Sequence, residues 1–85
     1  MTYQIQIEKS ALKQLSKLEK RIRQKITAKI DDLAYEPRPF GYKKLVDEGG
    51  TYRIKTSGYR ILYDVFDNVL IVNVISIIKR NERTY

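Results

Sequence analysis

The chain has 85 residues, of which 42% are hydrophobic, and this is enough for one modest core and predicts a single domain over residues 1–85. It has no cysteine and no histidine, which excludes disulfides, zinc sites of the usual Cys/His kind and acid-base catalysis by histidine. The net charge of +7 favours an anionic partner, either nucleic acid or an acidic protein.

The sequence carries no recognisable export or membrane signal. Residues 1–10 lack the apolar region of a signal peptide. The longest apolar run, residues 69–78, is interrupted by Asn73 and Ser76 and is too short to span a bilayer. We therefore expect a cytoplasmic protein that does not associate with membranes.

The first predicted element is a strand at residues 1–7. Tyr3, Ile5 and Ile7 alternate there with two glutamines, which is the period of a half-buried strand. Ser10 follows and is expected to cap the next element, a helix.

A helical hairpin is predicted between Ser10 and Pro37. Apolar residues recur at helical spacing on both sides of Glu19, so each helix has one face for the core. The outer face is strongly basic, and a solvated helix surface is the favoured interpretation of it. The apolar rows are Leu12, Leu15 and Leu18, then Ile22, Ile26, Ile30 and Leu33, and the basic residues are Lys13, Lys17, Lys20, Arg21, Arg23, Lys25 and Lys29.

The second half of the chain is predicted to form strands. Residues 36–50 hold both prolines and three of the four glycines, which indicates a connecting loop, with a short edge strand at residues 43–46. Strands follow at residues 52–56, 59–66 and 69–78, separated by the turn dipeptides Ser57-Gly58 and Asp67-Asn68. The predicted fold is α+β in the order β-α-α-β-β-β, with the helical hairpin packed on one face of an antiparallel sheet.

The Ser57-Gly58 turn predicts a cluster of cations. A two-residue turn pairs Lys55 with Arg60, and alternation then places Arg53, Lys55 and Arg60 on one face of the sheet. Like charges that face each other cost about 0.2 to 1 kcal/mol, so this arrangement favours a bound anion. The alternative is a sheet face that carries cations only to prevent aggregation.

Arg80 is a further candidate for this cluster, under one condition. The end of the last strand lies beside the first turn in a meander. Strict alternation from the second turn places Lys79 on the face of Arg60 and Arg80 on the opposite face. Arg80 therefore reaches the cluster only if the strand bends or ends near Ile78.

A cationic face without histidine can still cleave RNA, because the 2′-hydroxyl of RNA supplies the nucleophile. Lys55 is the candidate base, since Arg53 and Arg60 disfavour its charged form and lower its pKa. The two arginines are expected to stabilise the phosphorane, and Arg80 to assist the leaving 5′-oxygen. The product would be a 2′,3′-cyclic phosphate, and no metal or other cofactor is expected.

The tyrosines divide into two groups. Tyr3, Tyr52 and Tyr63 occupy strand positions that suit core packing. Tyr85 lies at the end of the chain, has no core to fill, and is expected to stack on a base.

The chain resembles the RelE/ParE toxin superfamily, and specifically its RelE branch, in the ordered motifs ALKQLSKL, KKL, YRIK, SGYRILY, VISIIKR and a terminal tyrosine. The resemblance implies a RelE-like fold and the toxin of a toxin-antitoxin pair. Such a toxin is an endoribonuclease (mRNA interferase) that cuts mRNA in the ribosomal A site, contacts 16S rRNA and is neutralised by a cognate antitoxin.

By position, the resemblance implies that Lys55 is the base, Arg60 the residue that stabilises the transition state and Arg80 the acid. It implies that Tyr85 stacks on the substrate. Arg53 stands where the best-known member has a lysine. Further RNA contacts are expected from Lys43, Lys44, Arg53, Lys79 and Arg83.

Two other functions are compatible with the sequence. One is a ParE-type inhibitor of DNA gyrase, which has the same fold without nuclease activity. The other is a nucleic-acid-binding module without toxicity. Both predict that Lys55→Ala leaves the biological effect largely intact.

Overall fold

The polypeptide folds into two helices and five strands, as described by a computed structural model of residues 2–45 and 50–80. The elements are β1 (Gln4–Ile7), α1 (Lys9–Ser16), α2 (Lys20–Asp32), β2 (Lys43–Leu45), β3 (Thr51–Thr56), β4 (Tyr59–Phe66) and β5 (Ile71–Lys79). The predicted α+β fold with a helical hairpin is confirmed. The predicted edge strand exists as β2, and Val46, its expected last residue, lies outside the described residues.

The strands form one sheet in the order β1-β5-β4-β3-β2. The antiparallel meander is confirmed for β3, β4 and β5. The sheet is mixed, however, because β1 pairs parallel to β5 with Gln4 opposite Ile71, so the prediction of a fully antiparallel sheet was wrong. A parallel pair needs a long crossover, and the helical hairpin belongs to the segment that joins these two strands.

The two helices bury the predicted apolar face, with local differences in α1. This helix begins at Lys9, and Glu8 occupies the N-cap without a side-chain cap, so the prediction of Ser10 as the cap was wrong. Ala11 and Leu15 are buried, whereas Leu12 is 49% exposed. The buried row of α1 therefore follows the i, i+4 spacing that aligns side chains along one helix face.

The core lies between the helices and one face of the sheet. Alternating residues of β3, β4 and β5 point into it, and the partly buried Tyr3, Ile5 and Ile7 pack against its edge. Neither helix of the described residues is long and apolar enough to cross a membrane. The buried residues are Ala11, Leu15, Ile26, Ile30, Leu33, Tyr52, Ile54, Ile61, Tyr63, Val72, Val74 and Ile77.

The loop between β4 and β5 is longer than the sequence predicted. Phe66 pairs with Ile71, so residues 67–70 form the connection in place of a two-residue Asp67-Asn68 turn. Leu70 has a left-handed φ of 54°, which is uncommon for a residue with a Cβ atom. The two additional residues leave the predicted alternation of β5 unchanged at this end of the strand.

Polar contacts fasten the segment after α2 to this end of the sheet. The hydroxyl of buried Tyr63 donates a hydrogen bond of 2.7 Å to the carbonyl oxygen of Pro37. Arg38 forms an ion pair of 2.8 Å with Asp67, and the Tyr3 hydroxyl donates to the same carboxylate at 2.6 Å. The core position expected for Tyr63 is confirmed, as is that of Tyr52, whose ring stacks on it at 5.7 Å.

Candidate active site

The turn between β3 and β4 has the predicted two-residue form. Ser57 and Gly58 both have left-handed φ values, 52° and 81°, as a type I′ hairpin turn requires. Thr56 therefore pairs with Tyr59, and Lys55 lies directly opposite Arg60.

This register gathers cations on the face of the sheet that points away from the helices. Arg53, Lys55 and Arg60 share this face, and Lys43 on β2 joins them because it pairs with Arg53. The cluster that the sequence predicted at this turn is confirmed as a geometric arrangement.

The clustered cations have no acidic partners in the described part of the chain. The ion pair of the described residues is formed by Arg38 and Asp67, which lie at the other end of β4 and outside the cluster. Within residues 2–45 and 50–80, the Nε atom of Arg60 is buried and makes no hydrogen bond. A buried donor left unpaired costs about 1–3 kcal/mol, and an anion that accepts a hydrogen bond from this atom would offset that cost.

A β-bulge in β5 brings Arg80 to the same face. Leu62 lies opposite Ser76 but Tyr63 lies opposite Val74, so Ile75 has no partner on β4. The extra residue reverses the alternation after it, and Ile78 takes the position opposite Arg60.

The last residues of β5 extend this reversed alternation as far as the first turn. The Arg80 amide donates a hydrogen bond of 2.9 Å to the carbonyl oxygen of Gly58. The alternation that places Ile78 opposite Arg60 gives Arg80 the same face. The strict alternation expected for β5 was therefore wrong, and the bulge meets the condition under which Arg80 was expected to reach the cluster.

The other expected RNA contacts divide between the two faces. Lys79 pairs with Tyr59, whose side chain packs against the core, so the expected position of Lys79 on the face of Arg60 was wrong. Lys44 pairs with Tyr52, and its ammonium lies 5.8 Å from the centre of that ring, also on the helix side. Lys43 lies with the cluster, whereas Arg83 and Tyr85 lie outside the described residues.

Apolar side chains lie among these cations. Leu62 is half-buried opposite Arg53, and Ile78 is 44% exposed opposite Arg60. These two side chains form an apolar surface between the cations, against which a ribose or base can pack. Sequence reasoning missed this role of Ile78, because strict alternation assigned it to the other face.

The surrounding charges act on Lys55. Arg80 has the largest effect and Arg53 the next, and together with slight desolvation, Arg60 and Lys43 they lower the pKa of Lys55 from its ordinary value. Lys55 itself is exposed, so its amine is accessible to a substrate. A lysine that loses its proton more readily than usual can act as a general base.

The arrangement is suited to chemistry at a phosphodiester. Guanidinium groups keep their charge and can hold phosphate oxygens in fork-like geometry. Beside them, a lysine with a lowered pKa can accept a proton.

Comparisons with known proteins relate this geometry to a family. The model of the family described as "ParE toxin of type II toxin-antitoxin system, parDE" matches residues 5–84. The chain belongs to the RelE/ParE toxin superfamily. Among curated members, the mRNA interferase toxin RelE of Escherichia coli K12 is 35% identical over 82 residues, which are 94% of this chain and 85% of that protein. A putative RelE-like toxin of E. coli is 31% identical over 81 residues, with the same coverage.

Solved structures of RelE proteins share the fold of this RelE/ParE toxin. RelE in the archaeal RelE-RelB complex from Pyrococcus horikoshii has a TM-score of 0.85 and 30% identity, covering 96% of this chain and 99% of that one. The isolated RelE toxin of E. coli has a TM-score of 0.81 and 32% identity, covering 96% of this chain and 88% of that one. The family assignment made from the motifs is confirmed.

The sequence of this superfamily member carries a signal for the bulge in the spacing of the residues of β5. The buried residues of β5 are Val72, Val74 and Ile77, and the step from 74 to 77 breaks the period of two. The polar residues Asn73 and Ser76 show the same break in the period. Strict alternation would place them on opposite faces, whereas both pair with β4 residues on the face away from the core. A strand with such spacing predicts a bulge between its two halves.

Proposed function

We propose that this toxin is a ribosome-dependent endoribonuclease that cleaves mRNA in the A site through the 2′-hydroxyl of the substrate. The observation that carries the proposal is the cationic face, on which Arg53, Arg60 and Arg80 surround Lys55 without an acidic partner among the described residues. The curated relative named as an mRNA interferase toxin supports the same reaction class.

The proposed chemical steps use side chains of the toxin together with water. Neutral Lys55 takes the proton of the 2′-hydroxyl, and the 2′-oxygen attacks the adjacent phosphorus. Arg53 and Arg60 stabilise the charge on the phosphorane oxygens. The bond from phosphorus to the 5′-oxygen then breaks, while Arg80 stabilises this oxygen by a hydrogen bond and solvent water delivers its proton. The products are a 2′,3′-cyclic phosphate and a 5′-hydroxyl, formed without a metal or cofactor.

The remaining substrate contacts follow from position. Ile78 and Leu62 are apolar and adjacent to the arginines, so they suit packing against a ribose or base. Lys43 extends the cationic face toward β2 and is assigned to the RNA backbone. For Tyr85 and Arg83, base stacking and RNA contact remain proposals from the family resemblance.

Two macromolecular partners complete the proposal. The ribosome would position the mRNA, with 16S rRNA as the anionic surface that the charge of +7 favours. A cognate antitoxin would neutralise the toxin. Solved relatives are RelE-RelB and RelBE toxin-antitoxin complexes, and this supports an antitoxin partner for the present chain.

The test is in vitro translation of a defined mRNA with purified ribosomes, with cleavage mapped by primer extension. We expect cuts inside A-site codons that require ribosomes and persist at EDTA concentrations that leave the ribosome intact. Lys55→Ala should reduce the cleavage rate by about 100-fold or more. Lys25→Ala is the matched control, because this exposed lysine lies on α2 away from the cationic face and should cleave at the wild-type rate.

A ParE-type gyrase inhibitor is the second candidate, because the matching family model carries the ParE name. It predicts inhibited supercoiling by gyrase, no ribosome-dependent cuts and no effect of Lys55→Ala on toxicity. That combination would replace the ribonuclease proposal.

A further inference from the structure

The bulge at Ile75 decides which cation stands beside Lys55. With uninterrupted alternation, the residues after Ile75 would exchange faces, and Lys79 would occupy the face of Arg60. The bulge instead gives Ile78 and Arg80 that face. Whatever holds the bulge in place therefore also controls the composition of the cationic face.

Helix α1 supplies contacts to the bulge where strand pairing ends. β1 follows β5 only as far as Ile7 opposite Val74, after which the amide of Glu8 donates to the Val74 carbonyl at 2.9 Å. In the part of the chain that the structure describes, no strand lies beside the next part of this edge of β5. Its polar backbone groups must find other partners, because Ile77 is only 3% exposed.

Gln14 provides the partner of one of these backbone groups. Its side-chain oxygen Oε1 accepts a hydrogen bond of 2.9 Å from the Ile77 amide and one of 3.4 Å from the Ser76 hydroxyl. The Ser10 hydroxyl adds a bond of 3.4 Å to the Ile75 carbonyl. Gln14 thus takes the place of the missing strand at the residues that follow the bulge.

We infer that Gln14 is a positioning residue for the cationic face, because it holds the bulge that places Arg80 beside Lys55. The segment after the bulge is fixed at both ends, by Gln14 at Ile77 and by the Gly58 carbonyl at the Arg80 amide. Loss of the acceptor leaves the Ile77 amide unpaired and favours a strand with regular alternation, which turns Arg80 away. The catalytic consequence rests on the proposed function, whereas the structural one does not.

The test compares the titration of Lys55 in free Gln14→Leu and wild-type toxin, followed by NMR of the lysine side chain. Leucine keeps the bulk and removes the acceptor. We expect a higher pKa of Lys55 in this variant, because Arg80 has the largest effect on that pKa. Arg80→Gln should produce a rise of similar size. Gln24→Leu, an exposed site on α2, is the control and should titrate as wild type.

Ribosomal cleavage gives the second readout. Gln14→Leu should lower kcat by about tenfold to 100-fold with a smaller change in KM, as expected for a misplaced group. Gln14→Glu keeps a side-chain oxygen as acceptor and should retain most of the turnover. If wild-type toxin cleaves nothing, the proposed function fails while the NMR titration still tests the bulge.

The inference is overturned if folded Gln14→Leu shows the wild-type titration of Lys55. Should this variant not fold, Gln14→Asn takes its place, because its oxygen lies one methylene further from the bulge. A smaller rise in the pKa of Lys55 supports the inference, and a folded Gln14→Asn toxin with wild-type titration and turnover contradicts it.

Discussion

Lys55 is suited to act as a base because the charged groups of the described residues that act on its pKa are all cations. A lysine beside carboxylates would keep its proton, whereas Arg80, Arg53, Arg60 and Lys43 together lower its pKa. Arginine cannot replace it as a base, since the guanidinium keeps its proton at physiological pH. The proposed division of roles between one lysine and several arginines rests on these two properties.

The first prediction concerns the pH dependence of cleavage. The rate should rise with pH as Lys55 loses its proton, with an apparent pKa below the ordinary lysine value of 10.5. Arg80→Gln removes the largest of the charges acting on Lys55 and should move this rise to higher pH. Single-turnover cleavage across a pH series measures both effects. An unshifted profile in Arg80→Gln would argue against Lys55 as the titrating base.

At the scale of elements, the turn between β3 and β4 sets the register of the site. Its type I′ form pairs Lys55 with Arg60, and any other turn length would separate them or change their faces. A Cβ atom added at Gly58 would meet nothing within 4 Å, so lack of space does not explain the glycine. Its left-handed backbone conformation does.

The second prediction tests this turn. Gly58→Ala should destabilise the fold by about 1 kcal/mol, because a residue with a Cβ atom is strained at a φ of 81°. Ser57→Asn should raise stability instead, since asparagine before glycine is favoured in this turn type. Urea unfolding measures both variants. Equal stability of Gly58→Ala and wild type would show that the turn tolerates another conformation.

The third prediction concerns the contacts around Asp67, which fasten the segment after α2 to the sheet. Hydrogen bonds from Arg38 and then Tyr3 hold the pKa of Asp67 at about 2, below its ordinary 3.8. The stability contributed by this ionised carboxylate is present above pH 3.8 and disappears as the pH falls through about 2.

Asp67→Asn should therefore lose less stability than wild type over that pH interval, as measured by urea unfolding. Tyr3→Phe removes only the weaker of the two hydrogen-bonding influences and should give an intermediate result. Identical pH dependence in wild type and Asp67→Asn would contradict this account of the contact.

At the scale of the whole molecule, local patterns predicted the helices, the meander and the cation pair. These features depend on neighbours in the chain, such as the two residues of the first turn. The parallel pairing of β1 with β5 joins Gln4 to Ile71 and has no local signal. The bulge does have a local signal, because the three-residue spacing of Asn73 and Ser76 is incompatible with strict alternation on one face.

Two adjacent lysines of β2 lie on opposite faces of the sheet, and this supports the fourth prediction. Lys43 and Lys44 are adjacent and exposed, yet Lys43 lies on the cationic face and Lys44 lies against Tyr52 on the helix side. Lys43→Ala should weaken binding to ribosome-bound mRNA. It should also reduce the slope of log affinity against log salt concentration by about one, because one phosphate contact is lost. Lys44→Ala should have little effect. Equal losses in both variants would mean that the charge acts without regard to face.

The proposed function requires that the cationic face cleaves RNA with Lys55 as the base. Its most direct test is analysis of the ends of mRNA cut on purified ribosomes by wild-type toxin and by Lys55→Ala. For wild type we predict a 2′,3′-cyclic phosphate and a 5′-hydroxyl at A-site cuts. For the variant we predict a cleavage rate reduced by about 100-fold or more. Cleavage by Lys55→Ala at the wild-type rate, or products with a 5′-phosphate, would contradict the claim.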